Sequence, residues 1–81
     1  MRITDVDLAI LSVLDVPDAF TRQKDVIEQV VSNTGTGEAY AYQRIRNLTY
    51  IGLISKNRLD ETNARYLQIT PDGKELLEAI E

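Results

Sequence analysis

The sequence predicts a small, mainly α-helical domain carrying one β-hairpin, in the order helix, candidate edge strand, helix, helix, hairpin, helix. Three observations predict it. Apolar residues recur at helical period in four separate stretches, the second and third stretches are joined only by the short connector Ser32-Asn33-Thr34-Gly35-Thr36-Gly37, and two short β-prone segments flank a cluster of turn residues. At 81 residues the chain has room for one core, and 43% hydrophobic residues beside 27% charged ones is the composition of a chain that folds.

The first helix is announced by Thr4, whose hydroxyl accepts from a backbone N–H three residues on, where Asp7 stands in the capping-box position. Ile3 and Leu8 occupy the two positions of a hydrophobic staple, and Val6, Ile10, Val13 and Leu14 form the core-facing stripe. The helix runs from about residue 5 to 14, because Pro17 disfavours helix in Val16 before it. Ala19-Phe20 is too short to be assigned as a strand by itself but is placed to add an edge to a later sheet. Thr21 is the candidate cap of a second helix, whose stripe is Val26, Ile27, Val30 and Val31 and which ends near Ser32.

Either Thr34 or Thr36 is positioned to cap the third helix, about residues 37 to 51, and Gly52 is suited to the left-handed conformation that closes it. Ala41, Ile45, Leu48 and Gly52 fall on one stripe of this helix, and Tyr40, Gln43, Arg46, Asn47 and Tyr50 on the other. Tyr42 and Arg44 lie at the stripe's borders; Tyr42 is assigned to the core and Arg44 to a contact with the DNA backbone phosphates. Segments 54–59 and 65–69 flank Asp60-Glu61-Thr62-Asn63-Ala64 as a hairpin, with Leu67 and Ile69 alternating against Tyr66 and Gln68, while the register of the first strand is left open. Thr70-Pro71 opens a short terminal helix with the stripe Leu76, Leu77 and Ile80.

Composition narrows the function. The chain has no cysteine and no histidine, so thiolate nucleophiles and the commonest metal ligand and general base are missing; the sequence predicts a protein that is not an enzyme and holds no metal or cofactor. Gly35-Thr36-Gly37 lacks the third glycine and the lysine of a nucleotide loop, and a helix rather than a strand precedes it. Asp5 with Asp7 and Glu75 with Glu78 read as helix-start charges and a solvated tail. The longest apolar runs are a few residues and the N-terminus has no basic-then-apolar signal region, which predicts a soluble cytoplasmic protein with no membrane contact.

The net charge of -4 is unevenly spread. Residues 38–66 carry Arg44, Arg46, Lys56, Arg58 and Arg65 against Glu38, Asp60 and Glu61, a local +2 in a chain otherwise acidic. A helix that turns arginine, amide and tyrosine side chains to solvent has the groups that read base edges, since arginine forks onto guanine and amides pair with adenine. Lys56, Arg58 and Arg65 suit phosphate contacts that position without reading sequence, with the acidic tip at Asp60 and Glu61 held away from the backbone. The competing explanations are an ordinary solvated helix face and a charged edge strand that discourages aggregation.

On Asp7-Leu8-Ala9-Ile10-Leu11, on Tyr42-Gln43-Arg44-Ile45-Arg46-Asn47-Leu48 leading to Gly52-Leu53-Ile54, and on Arg65-Tyr66-Leu67-Gln68-Ile69-Thr70 leading to Gly73, the chain resembles the winged helix-turn-helix transcription regulators, in particular the broad group of PadR-like and MarR-like repressors. The resemblance covers essentially the whole chain and implies a three-helix core with a wing and a short C-terminal helix, acting as one DNA-binding domain. It implies that the third helix enters the major groove of double-stranded DNA and that the wing lies on the backbone. The chain departs from the family in having Leu67 where an aromatic is common, with Tyr66 one place early, and in a terminal helix shorter than those many members use to dimerise.

The resulting expectation is a sequence-specific transcription regulator, a repressor, whose DNA-binding residues are Thr36, Tyr40, Gln43, Arg44, Arg46, Asn47, Tyr50, Lys56, Arg58 and Arg65. A single module of this kind covers only about 600–1,000 Å² of DNA, so the expected state is a homodimer on a palindromic site. Leu8 and Leu11, off the core stripe of the first helix, are the expected part of its interface. The alternative of a different class is a winged helix used as a protein-interaction module, which the acidic balance favours and the arginines, glutamine and tyrosines of the third helix oppose.

Overall fold

The computed structural model describes residues 3–16, 19–57 and 64–80. Seven elements follow in order: α1 (Asp5–Val13), β1 (Thr21–Arg22), α2 (Gln23–Thr34), α3 (Glu38–Tyr50), β2 (Ile54–Asn57), β3 (Tyr66–Ile69) and α4 (Pro71–Ile80). Three helices form the core, a three-stranded antiparallel sheet of order β1-β3-β2 forms the wing, and α4 packs back against α1. This is the winged helix-turn-helix arrangement.

Local chemistry sets most of the boundaries. The capping box at α1 is formed as the sequence predicts: the Asp7 N–H donates to Thr4 Oγ1 at 3.1 Å and the Thr4 N–H donates to Asp7 Oδ2 at 3.0 Å. Ile3 and Leu8 both pack against the core. At the other end of the helical pair, α2 runs two residues beyond the expected end and closes on Gly35, which takes φ 74° and donates its N–H to Val31 O at 2.9 Å. Gly52 takes φ 88° after α3.

Two capping expectations are corrected. Thr21 lies in β1, and the N-cap of α2 is Arg22, with no side-chain cap bond. Neither Thr34 nor Thr36 caps α3: its N-cap is Gly37, while Thr34 Oγ1 donates back to Val30 O at 2.7 Å and accepts from the Thr36 N–H at 3.3 Å. Gly37 caps α3 without a side-chain bond, and the Thr34 hydroxyl bonds within the α2 end instead.

The core comprises Val6, Ile10, Leu11 and Leu14 from the α1 region, Val26, Ile27 and Val30 from α2, Ala41, Ile45 and Leu48 from α3, and Leu53, Ile54, Leu67 and Leu77. Ala41, Ile45 and Leu48 of the α3 stripe are buried as their spacing predicts, whereas Gly52, beyond the end of the helix, is exposed. Leu11, expected at a dimer interface, is fully buried, and Leu8 is half-buried against the core. α1 is covered by α2, α3 and α4 together, so its apolar face is wider than one stripe.

The edge strand forms two residues later than Ala19-Phe20: Thr21 pairs with Leu67 and Arg22 with Tyr66. The hairpin register, open in the sequence, is Ile54 with Ile69, Ser55 with Gln68, Lys56 with Leu67 and Asn57 with Tyr66. Directly opposed residues share a face, so Lys56 stands on the inner face with Ile54, Leu67 and Ile69. The expected turn residues 60–63, and Arg58 and Leu59, lie outside the described residues.

A tight corner ties the wing's two feet to α3 and α4. Thr70 Oγ1 donates to Gly52 O at 2.7 Å and accepts from the Gly73 N–H at 3.1 Å, and the Thr70 N–H donates to Leu53 O at 3.1 Å. Gly73 is buried there with its Cα against the Leu53 carbonyl, a place with no room for a Cβ.

Candidate nucleic-acid interface

α3 presents its polar side to solvent. Tyr40, Gln43, Arg46, Asn47 and Tyr50 are all exposed, Tyr50 at 91%, while Ala41, Ile45 and Leu48 hold the helix down from behind. Leaving an aromatic ring that exposed forgoes the free energy its burial would bring.

The wing brings cations to this face. Lys56, half-buried on the inner side of the sheet, has its pKa lowered from the ordinary 10.5, first by burial and then by the positive charges of Arg65 and Arg46. The positive charges of Arg46 on α3 and of Arg65 just before β3 thus reach Lys56 on β2. Like charges disfavour the protonated form, and a bound anion offsets that effect. Arg58, also expected in this set, lies outside the described residues.

Arg44 does something different from the expected phosphate contact. Its Nε donates to Asp7 Oδ1 at 2.7 Å and an Nη donates to Asp7 Oδ2 at 2.8 Å, with the Arg44 side chain 18% exposed and that of Asp7 fully buried. The hydrogen bond to Asp7 raises the Arg44 pKa further above its already high ordinary value. Both partners read otherwise in the sequence: Asp7 as a helix-start charge, Arg44 as an outward cation. The bidentate pair lies 37 residues apart in the chain, and no local signal reports it.

Tyr42 is also corrected. It is not core but 41% exposed, and it lines a shallow notch with Arg22, Gln23, Lys24, Ala64 and Arg65. The notch sits at the N-terminus of α2, where helix N–H groups point outward and the helix dipole favours negative charge. Arg22 and Lys24 were missed by sequence reading because the charge tally places them in an acidic segment. Only pairing of β1 with β3, and the Gln23 N–H donating to Arg65 O at 2.8 Å, carries them to the wing. Thr36, at the turn between α2 and α3, is half-buried with its N–H already bonded to Thr34.

Among the described residues no group of three or more metal-ligating side chains is gathered, and no helix is long and apolar enough to cross a membrane.

No protein-family model matches the chain, and no curated protein matches it. Among solved structures it is similar to that of Bordetella bronchiseptica BpsR, a protein whose DNA binding is regulated by 6-hydroxynicotinic acid, with a TM-score of 0.73 and 20% identity over 98% of this chain and 53% of that one. The likeness is one of fold, and this chain spans about half the length of the BpsR chain.

Proposed function

We propose that the chain is a single winged helix-turn-helix domain that binds double-stranded DNA sequence-specifically as a transcription regulator, with α3 in the major groove and the wing on the phosphate backbone. The observation that carries this reading is the exposed polar side of α3, bearing Tyr40, Gln43, Arg46, Asn47 and Tyr50, with Lys56 on the strand β2 that packs against α3, in a chain of net charge -4. Gln43, Arg46 and Asn47 are the base-reading residues, with Tyr40 and Tyr50 flanking them on the same exposed side. Lys56, Arg65 and, beyond the described residues, Arg58 hold phosphates, and so do Arg22 and Lys24 at the α2 N-terminus. Arg44 is left out of the DNA contacts because Asp7 occupies its fork. The fold shared with BpsR, whose DNA binding is regulated by a small molecule, supports the same reading.

The proposed mode of action is repression by occupying a palindromic site as a homodimer, since one module covers only about 600–1,000 Å² of DNA. Leu11 takes no part in that dimer, being sealed in the core.

Titration of labelled duplex DNA at several salt concentrations tests the proposal. Binding is expected to weaken with salt, each neutralised phosphate contributing about 0.9 to the slope of the log–log plot. Arg46→Ala is expected to erode preference for one sequence, whereas Lys56→Ala, Arg22→Ala and Lys24→Ala weaken all sequences alike. Absence of salt-dependent binding to any duplex from a random pool rejects the reading in favour of a protein-interaction module.

A further inference from the structure

The geometry points to the Arg44–Asp7 pair as a positioning clamp that sets where α3 sits on α1, and so fixes the base-reading side chains in register with the groove. The inference rests on the proposed DNA-binding role.

Asp7 is satisfied on every side. Its Oδ1 accepts from Arg44 Nε and its Oδ2 from an Arg44 Nη and the Thr4 N–H, so three bonds of 2.7 to 3.0 Å converge on a carboxylate with no solvent exposure. The carboxylate is in turn held by the α1 capping box, where its own N–H donates to Thr4 Oγ1. One end of the clamp is therefore rigid with the start of α1, and the other is planar and forked. Two parallel bonds between planar groups define a plane and an axial position directly, a directional constraint added to the non-directional apolar contacts of the core.

Replacing a buried ion pair by apolar residues of similar volume is often neutral for stability, so holding the helices together does not require this pair. Holding them at one setting does. On α3, Arg44 lies next to Gln43 in sequence, one helical turn from Tyr40 and from Asn47, at the edge where the buried stripe meets the exposed side. Recognition groups need to be held to within about 0.5 Å of their working positions. A clamp on the same turn of helix supplies that precision without touching DNA.

The test compares the wild type with the double variant Asp7→Leu/Arg44→Met and with Arg44→Lys. The DNA readout is the ratio of affinities for a duplex selected from a random pool and for a scrambled duplex of equal length. In the double variant the ratio is expected to fall roughly tenfold or more, the worth of about one good base contact, with the affinity for scrambled DNA and the salt slope unchanged. Arg44→Lys keeps the charge and loses the fork; its ratio is expected to fall as well. An unchanged ratio in either variant overturns the inference. A slope reduced by about 0.9 also overturns it, because Arg44 would then be a phosphate contact.

A second measurement stands apart from DNA. Residual dipolar couplings of backbone amides in the free proteins report the α3 axis relative to α1. The double variant is expected to show a changed or averaged orientation with both helices intact. A wild-type orientation overturns the inference even if the wild type binds no duplex, an outcome that would separately reject the DNA-binding role.

Discussion

Gly73→Ala is expected to destabilise the protein although it replaces glycine by the best helix former. A Cβ built on Gly73 meets the Leu53 carbonyl oxygen inside contact distance, with Ile69 Cγ1 at 3.0 Å and the Leu53 carbonyl carbon at 3.1 Å. The obstacle is backbone, and it is pinned: the same oxygen accepts from the Thr70 N–H, and Thr70 bonds both Gly52 and Gly73. Relief therefore means moving the start of α4 away from the foot of the wing. Overpacking of this kind costs about 1 to 3 kcal/mol. Helix propensity returns at most about 1 kcal/mol, and less in a first turn. The net expectation is a loss of about 1 to 2 kcal/mol, a fall in thermal midpoint of about 4–8 °C per kcal/mol for a domain of this size. Urea unfolding checks it: the midpoint should drop with the slope m unchanged, whereas Glu75→Ala, exposed on the same helix, should stay within about 0.5 kcal/mol of wild type. A Gly73→Ala protein as stable as wild type or more so would refute the argument, showing that the corner yields freely.

Further expectations concern other points of the fold. Gly35→Ala forces a side chain into a left-handed residue with open space around it, so the cost is conformational alone, about 1 to 2 kcal/mol by chemical denaturation. Leu67→Ala, at a fully buried position in the middle strand, should cost about 2–5 kcal/mol by the same measurement. Lys74→Ala should cost no more than about 1 kcal/mol, because its 3.6 Å contact with Asp15 is solvated on both sides. For Lys56, whose native pKa lies below 10.5, the unfolded chain binds the proton more tightly than the native state, so stability should rise as pH climbs from the lowered value towards 10.5. Lys56→Met should flatten that rise in pH-dependent urea midpoints. On the proposed function, DNA affinity should meanwhile fall through the same window in wild type and hold in Lys56→Arg.

What the sequence revealed and what it hid divide along the distance between interacting residues. The α3 stripe, the capping box at Thr4, the left-handed Gly52 and the Thr70 cap are all local, resting on spacings of a few residues, and each is present in the structure. The Arg44–Asp7 pair, the strand Thr21–Arg22 and the partnership of Arg22 and Lys24 with Arg65 are set by tertiary approach, and periodicity is blind to them. Leu11 shows the same division in the core: its residue type is apolar in any reading, but only the helices covering α1 from several sides decide that it is sealed. Tyr42 erred the other way, because an aromatic at a stripe border is apolar enough for the core and amphipathic enough to cover a cationic notch.

The middle place of β3 in the sheet ties the described strands of the wing to the helical body. One edge of the strand is laced to β2 and the other to β1, which runs directly into α2. Backbone hydrogen bonds thus hold Arg65 of the wing beside Arg22 and Lys24 at the α2 N-terminus, so these cations form one surface rather than independent arms. For the proposed function, a cationic surface whose backbone is already set favours duplexes whose unbound phosphate path fits it, a form of selectivity that needs no contact with a base.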